Sequence, residues 1–242
     1  LTQLKHLLGI ERVSTIDAVG YNRFINRDHG NTKGVSIGLL NQGDDLITGG
    51  LNYTLSYANG SSSDPQSLFL IQSATQIGGE QETYVERKIL PLNWDQRHTL
   101  NLYVNIGRPN EWSIGLISFL NSGTPYSPSF AERFDIAERE YRNLGRKPLR
   151  WSGDIQGKKH FKLFNYHSIL FIKTDNLLDH LNHESVHSST GKADQIARLP
   201  ENELLDQEKL EQEGHFTMDE VDIRPGYFSA PRHIQFGLEI KF

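Results

Sequence analysis

Three groups of residues carry types and spacings that bear on chemistry. Asp95, Arg97 and His98 bring together the acid, cation and imidazole that acid–base catalysis draws on. In an extended chain the period of two puts Asp95 and Arg97 on one face and His98 on the other. That arrangement predicts an ion pair rather than a catalytic dyad, and with no nucleophile or orienting partner no catalytic residue is assigned. His180, His183 and His187 fall at i, i+3 and i+7, which on a helix is one face and a possible metal site. No ordered carboxylate partner accompanies them, so the reading is a solvated loop and no metal. Residues 200–214, PENELLDQEKLEQEG, predict a short helix with a thin stripe of Leu204, Leu205 and Leu210, stopped by Gly214. Its acidic face (Glu201, Glu203, Asp206, Glu208, Glu211, Glu213) is read as solvated rather than as a cationic-ligand site. No P-loop or GxGxxG pattern occurs. The expectation is therefore a chain that is not an enzyme and holds no cofactor.

Composition narrows the classes. Lys and Arg number 25 against 30 Asp and Glu, a formal charge of −5 over 242 residues. A nucleic-acid binder normally shows the opposite balance, so no nucleic-acid partner is expected. The absence of cysteine excludes a disulfide scaffold and Cys-ligated zinc or iron–sulfur sites. Mean hydropathy is negative. The charge-free run 112–131 is interrupted by serines and two prolines and cannot be a spanning helix. These figures alone describe a soluble, mildly acidic globule of one large or two small domains.

The elements that must position the polar groups contradict that description. From Ile234 to Phe242 apolar residues alternate strictly with His233, Gln235, Gly237, Glu239 and Lys241, the signature of a strand with two unlike faces. Leu51, Tyr53, Leu55 and Tyr57 alternate with Asn52, Thr54 and Ser56. Leu100, Leu102, Val104 and Ile106 alternate with Thr99, Asn101, Tyr103 and Asn105. Val35, Ile37 and Leu39, then Trp112, Ile114, Leu116 and Leu120, then Leu170 and Ile172 give further strands, and Leu4 to Ile10 a possible eighth. Short polar turns are predicted at 41–45, 107–110 and 165–167, and long connections at 59–93, 125–149 and 178–231. A compact soluble domain seldom carries loops beyond about 12–15 residues. Short turns on one side and long loops on the other are what a transmembrane β-barrel requires. Strands of about 9–11 residues suffice to cross a bilayer when tilted. Tyr53, Tyr57, Trp112 and Phe242 are expected near strand ends, where membrane barrels carry aromatic girdles.

The ends of the chain fit the same reading. Residues 1–13, LTQLKHLLGIERV, do not begin with Met and lack a signal-peptide pattern, so the chain is expected to be a fragment. At the other end, Phe242 belongs to the apolar set of its strand.

In order along the sequence, these segments resemble the C-terminal part of a TonB-dependent outer-membrane receptor of the type common in Bacteroidetes. Residues 21–40, YNRFINRDHGNTKGVSIGLL, resemble a long strand with a leading aromatic and Asn, and residues 92–105, LNWDQRHTLNLYVN, its "DQRH" strand start. Residues 112–128, WSIGLISFLNSGTPYSP, resemble a strand ending in an SGxPY element. Residues 154–179 resemble the penultimate strand, with DNLLD where the family usually has "NLFD", so that Leu178 replaces Phe. Residues 225–242, PGYFSAPRHIQFGLEIKF, resemble the last loop and strand.

The resemblance implies an all-β fold: an antiparallel transmembrane β-barrel segment, residues 1–242 supplying about seven to eight strands of a barrel of about 22. It implies short periplasmic turns, three large extracellular loops, and a place in the outer membrane of a Gram-negative bacterium. Phe242 becomes the signal read by the barrel-assembly machinery. The remaining partners would be outer-membrane lipid, the plug domain and remaining strands of the same protein, TonB acting through that plug, and a scarce ligand of unassigned chemistry. Two other readings stand beside it: a self-contained passive barrel of about eight strands, and a soluble β-domain that binds a small molecule.

Overall fold

The computed structural model describes residues 2–14, 20–43, 46–61, 89–108, 110–129, 142–164, 166–197 and 223–241, with the backbone alone for 2–14 and 20–28. The described chain is all-β. Its long strands are β1 (Thr2–Ser14), β2 (Gly20–Asn41), β3 (Ile47–Gly60), β5 (His98–Arg108), β6 (Trp112–Asn121), β9 (Arg150–Leu163), β10 (Tyr166–Asp175) and β11 (His233–Lys241). A two-residue strand β4 (Leu90–Pro91) adds to the end of β3, and β7 (Pro125–Tyr126) pairs with β8 (Gly145–Arg146) apart from the main sheet. A single 3₁₀ turn spans Pro225–Tyr227. No helix among the described residues is long and apolar enough to cross a membrane, which has no bearing on strands.

The long strands pair in the order β1-β2-β3-β5-β6-β9-β10-β11, each antiparallel to the next. This is a meander in which sequence order is spatial order. The alternating segments read from the sequence all lie in these strands. The stretch 154–179, which resembles a penultimate strand, is most of a hairpin whose bend falls beside the short turn predicted at 165–167: β9 runs to Leu163, Phe164 takes a positive φ of 49°, and β10 returns from Tyr166. Gly153, Gly157 and Lys159 interrupt the apolar set of β9, so alternation alone does not announce that strand.

Register sorts the residues into two faces. Leu39, Leu51 and Leu102 are successive cross-strand partners, and so are Ile37, Tyr53, Leu100, Leu120 and Trp151. One row lower, Val104, Leu116 and Ile155 continue the set, followed by Ile106, Ile114, Gly157, Ile172 and Phe236. The opposite face carries Asn52, Asn101, Asn105, Gln156, Lys173 and Gln235 in matching rows, with a few aromatics. Two of those aromatics face glycines directly across the ladder. A Cβ on Gly50 would come within 2.6 Å of the Tyr103 ring, and one on Gly237 within 2.6 Å of the Phe171 ring. Such aromatic cover compensates for the poor packing of glycine in a strand.

Nothing among the described residues packs on the apolar face. Val35, Leu39 and Phe236 are 62%, 66% and 85% exposed, while the only fully buried hydrophobic residues among those described are Ala58, Leu92 and Ala193. The sheet thus has no hydrophobic core of its own.

The connections alternate in length as the sequence predicts. Residues 42–46, 109–111 and 164–165 join strands at one end, while 61–97, 122–149 and 176–232 join them at the other. One feature departs from the expected pattern. β1 pairs with Gly20–Lys33 of β2, whereas β3 pairs only with Gly30–Asn41. The β1–β2 hairpin therefore projects beyond the end of β3 by ten rows, about 30 Å at the usual rise. The wall proper consists of seven strands, and the expected eighth is a ribbon arm at the long-connection end.

Candidate functional site

The long-connection end is tied together by polar groups, beginning at the DQRH strand start. Asp95 is 1% exposed. Its Oδ1 accepts the Ala58 N–H at 2.7 Å, and its Oδ2 accepts from Arg146 Nη2. Arg146 Nη1 also donates to the carbonyls of Asp95 and Gly123, at 2.9 and 3.1 Å. Arg97 makes the expected ion pair, its Nε 3.5 Å from Asp95 Oδ2, but without hydrogen-bond geometry. Its guanidinium lies over the Tyr57 ring at 5.1 Å instead. A buried carboxylate is tolerated only when paired and hydrogen-bonded. Here the close partner is Arg146, 51 residues downstream, which sequence spacing does not reveal. Residues 92–97 are not a strand, so the expected division of these residues between two faces does not hold: His98 opens β5 with its Nδ1 2.9 Å from the Tyr53 hydroxyl, on the same face of β3 as the Tyr57 ring that Arg97 covers.

Asn143, with φ 57°, continues the tie. Its Nδ2 donates to the Pro91 carbonyl and to Asn93 Oδ1, both at 2.8 Å, so the first and second long connections are joined. The SGTPY string is held by close packing. A Cβ on Gly123 would sit on the Lys147 carbonyl, and the Tyr126 ring lies against Gly145 and Gly191, where any Cβ would come within 2.4 Å of its atoms.

The third long connection is organised by two asparagines. Asn182 Oδ1 accepts the Trp151 N–H at 2.7 Å and its Nδ2 donates to the Trp151 carbonyl at 2.8 Å. One side-chain amide thus takes both groups that a neighbouring strand would take. Asn176, in DNLLD, donates through Nδ2 to the carbonyls of His180 and Ala230, both at 3.0 Å, and its N–H reaches Asp154 Oδ1 at 2.8 Å. Asp179 Oδ1 accepts the Arg232 N–H at 2.7 Å. The polar positions of the motif make the contacts, while Leu178 is 66% exposed.

The three histidines do not share a helical face. The His180 ring stacks on Trp151 at 4.5 Å, His183 meets Phe228 edge-on at 5.4 Å and accepts the Ala193 N–H at 2.9 Å, and His187 lies 5.0 Å from Tyr227. They sit in a loop, as read, but His187 is buried rather than solvated. No cluster of three potential ligands able to hold a metal ion occurs among the described residues.

Two strings in the chain match catalytic patterns that the motif reading passed over. HESVH at 183–187 has the spacing of a zinc-protease helix, but it lies in irregular loop, and Glu184 is paired with Arg150. GVSIG at 34–38 has the spacing of a nucleophile elbow, but Ser36 sits inside β2 with its Oγ 2.7 Å from Thr54 Oγ1. Neither has the backbone its chemistry needs.

Trp112 opens β6, at a strand end as expected, but Tyr53 is the seventh and Tyr57 the eleventh of the fourteen residues of β3, so Tyr53 stands mid-strand rather than near an end. Trp151, second residue of β9, is a strand-end aromatic in the row of Tyr53, and was missed because its strand was. The predicted acidic helix at 200–214 and Phe242 lie outside the described residues. Comparison with known protein families, with curated proteins and with solved structures finds no match.

Proposed function

We propose that the chain is the C-terminal wall of a TonB-dependent outer-membrane receptor, one that takes up a scarce ligand with energy delivered through TonB. The observation that carries the membrane part is the exposed apolar face. Seven consecutive strands place most of their apolar residues on one side, where no other part of the described chain covers them, with Leu40, Tyr103, Ile117 and Phe171 among the exceptions on the other. Contiguous exposed apolar surface of this extent marks a membrane or protein contact. In hydrocarbon a spanning sheet must also close, so β11 and the far side of the wall would be completed by further strands of the same protein. The receptor part rests on the five sequence resemblances. Their polar residues Asp95, Asn176 and Asp179 hold the roots of the long connections. On this reading the polar face looks into the lumen toward the plug, the long connections are extracellular and reach the ligand, and the chain carries no catalysis.

The test is fractionation of the source cells followed by detergent extraction. The expected result is recovery of the full-length protein from the outer membrane, with heat-modifiable mobility on a gel. Recovery as a detergent-free monomer that unfolds cooperatively would overturn the reading in favour of a soluble β-domain. The passive eight-stranded barrel is less well supported, because the eighth long strand overlaps the wall over only a few residues.

A further inference from the structure

A groove lies on the apolar face. It is about 470 Å³ in volume and spans two cross-strand rows, one in which Gly157 on β9 lies between Ile114 on β6 and Ile172 on β10, with Phe236 beyond, and one that holds Trp112, Lys159 and Leu170. A Cβ on Gly157 would be 3.3 Å from Ile172 Cγ2, so the absent side chain is what opens the floor. The next row toward the short-turn end reads Arg108, Trp112, Lys159 and Leu170. Strands stand about 4.8 Å apart, which sets the two cations on either side of Trp112 and about 10 Å from each other. Lys159 is exposed and has no carboxylate partner among the described residues. Arg108 is 67% exposed, with Glu111 3.9 Å away.

We propose that this groove seats an anionic glycerophospholipid, with one acyl chain along Gly157 and the phosphate held by Lys159 and Arg108. The inference rests on the barrel reading, which puts the short-turn end in the periplasmic, phospholipid leaflet. Charge complementarity selects the occupant. Lys159 pairs with Trp112 at the edge of the apolar rows, and its long stem lets the amine reach the interface and an anion there. A channel one missing side chain wide fits an extended hydrocarbon chain, and Trp112 stands where an interfacial aromatic meets the headgroup level.

The test uses the full-length protein in vesicles containing phosphatidylglycerol with a photoactivatable acyl chain, beside diacylglycerol bearing the same chain. The expected result is labelling concentrated in β6, β9 and β10, stronger with phosphatidylglycerol. Lys159→Gln should reduce that headgroup-dependent labelling about fivefold, the equivalent of one cation near an anionic surface. Gly157→Leu should reduce labelling by both lipids at these strands, and Gly157→Ala should do so partially in protein that keeps its heat-modifiable mobility. Labelling spread evenly over all strands, equal labelling by both lipids, or indifference to Lys159→Gln would overturn the proposal and leave only ordinary lipid contact. Displacement by lipopolysaccharide but not by phosphatidylglycerol would also overturn it. Absence of label from every strand with either lipid would instead sink the barrel reading beneath it.

Discussion

The wall and the layer at its long-connection end are built on opposite principles. In the wall, Val35, Leu39 and Phe236 stand exposed, and ladder hydrogen bonds, with a few side-chain bonds such as Ser36 to Thr54, hold the strands together. In the end layer, Asp95, Asn143, Asn176 and Asn182 are buried, and their side chains tie segment to segment through backbone groups, beside backbone–backbone bonds such as Ser129 N–H to the Ser188 carbonyl and Glu184 N–H to the Tyr227 carbonyl. The wall relies on a surrounding medium to cover apolar surface, so it is stable only where that medium exists. The end layer stands in water on this reading and must satisfy each polar group internally to fix its loops. The difference explains how one chain with unremarkable composition holds together without a hydrophobic core.

The largest expected effect breaks the wall without touching the end layer. Leu116 lies mid-row between Val104 and Ile155 on the apolar face. Leu116→Arg should cost about 3 kcal/mol in urea unfolding from phospholipid vesicles, as for a cation near the bilayer midplane. Asn105→Arg, on the opposite face, should cost less than about 1 kcal/mol. Equal costs for the two would remove the distinction between lipid and lumen faces.

The next change breaks the end layer and spares the wall. Asp95→Ala leaves Arg146 without its carboxylate and the Ala58 N–H without an acceptor. A loss of about 2–3 kcal/mol is expected from the buried, charged hydrogen bonds removed. Limited proteolysis should cut faster in residues 122–149, while extraction from the membrane stays unchanged. If the wall loosened together with the loop, the two regions would not be separable.

How much of this was legible depends on the range of the interaction. A strand face is a local property with period two, so Leu51 to Tyr57 and Ile234 to Ile240 declare themselves. β9 did not, because Gly153, Gly157 and Lys159 sit at apolar positions for reasons that lie on neighbouring strands. The Asp95–Arg97 pair was readable from two residues' separation, and Arg146 was not, since 51 residues of chain set its position. The spacing of His180, His183 and His187 suggested a helix face, but their ring partners Trp151, Tyr227 and Phe228 come from other parts of the fold. HESVH and GVSIG make the same point in reverse: a string gains chemistry only from the backbone it adopts.

A smaller effect asks what kind of polar contact holds the third long connection. Asn182→Ala removes the donor and the acceptor that satisfy Trp151, and about 1–2 kcal/mol of loop stability is expected to go with them. Hydrogen exchange at Trp151 and at Asn182 should speed up together. Asn182→Asp is the sharper variant. A carboxylate still accepts from the Trp151 N–H but has no N–H to offer its carbonyl, so it should recover only part of the loss.

The smallest effect concerns charge at the same place. Arg150 and Glu184 form an ion pair in the end layer, with side chains 31% and 41% exposed. Exposed pairs contribute little because water screens them and two long side chains must be ordered. Glu184→Gln should therefore change loop stability by about 0.5 kcal/mol or less at low salt, and by nothing measurable once salt shortens the screening length to a few ångströms. Lys147 Nζ donates to the Glu184 backbone carbonyl at 2.7 Å, a contact that the substitution leaves in place. A loss as large as that of Asn182→Ala, persisting at high salt, would mean that the end layer is held by charge rather than by buried amides. The contrast with the wall would then be one of polarity alone and not of burial.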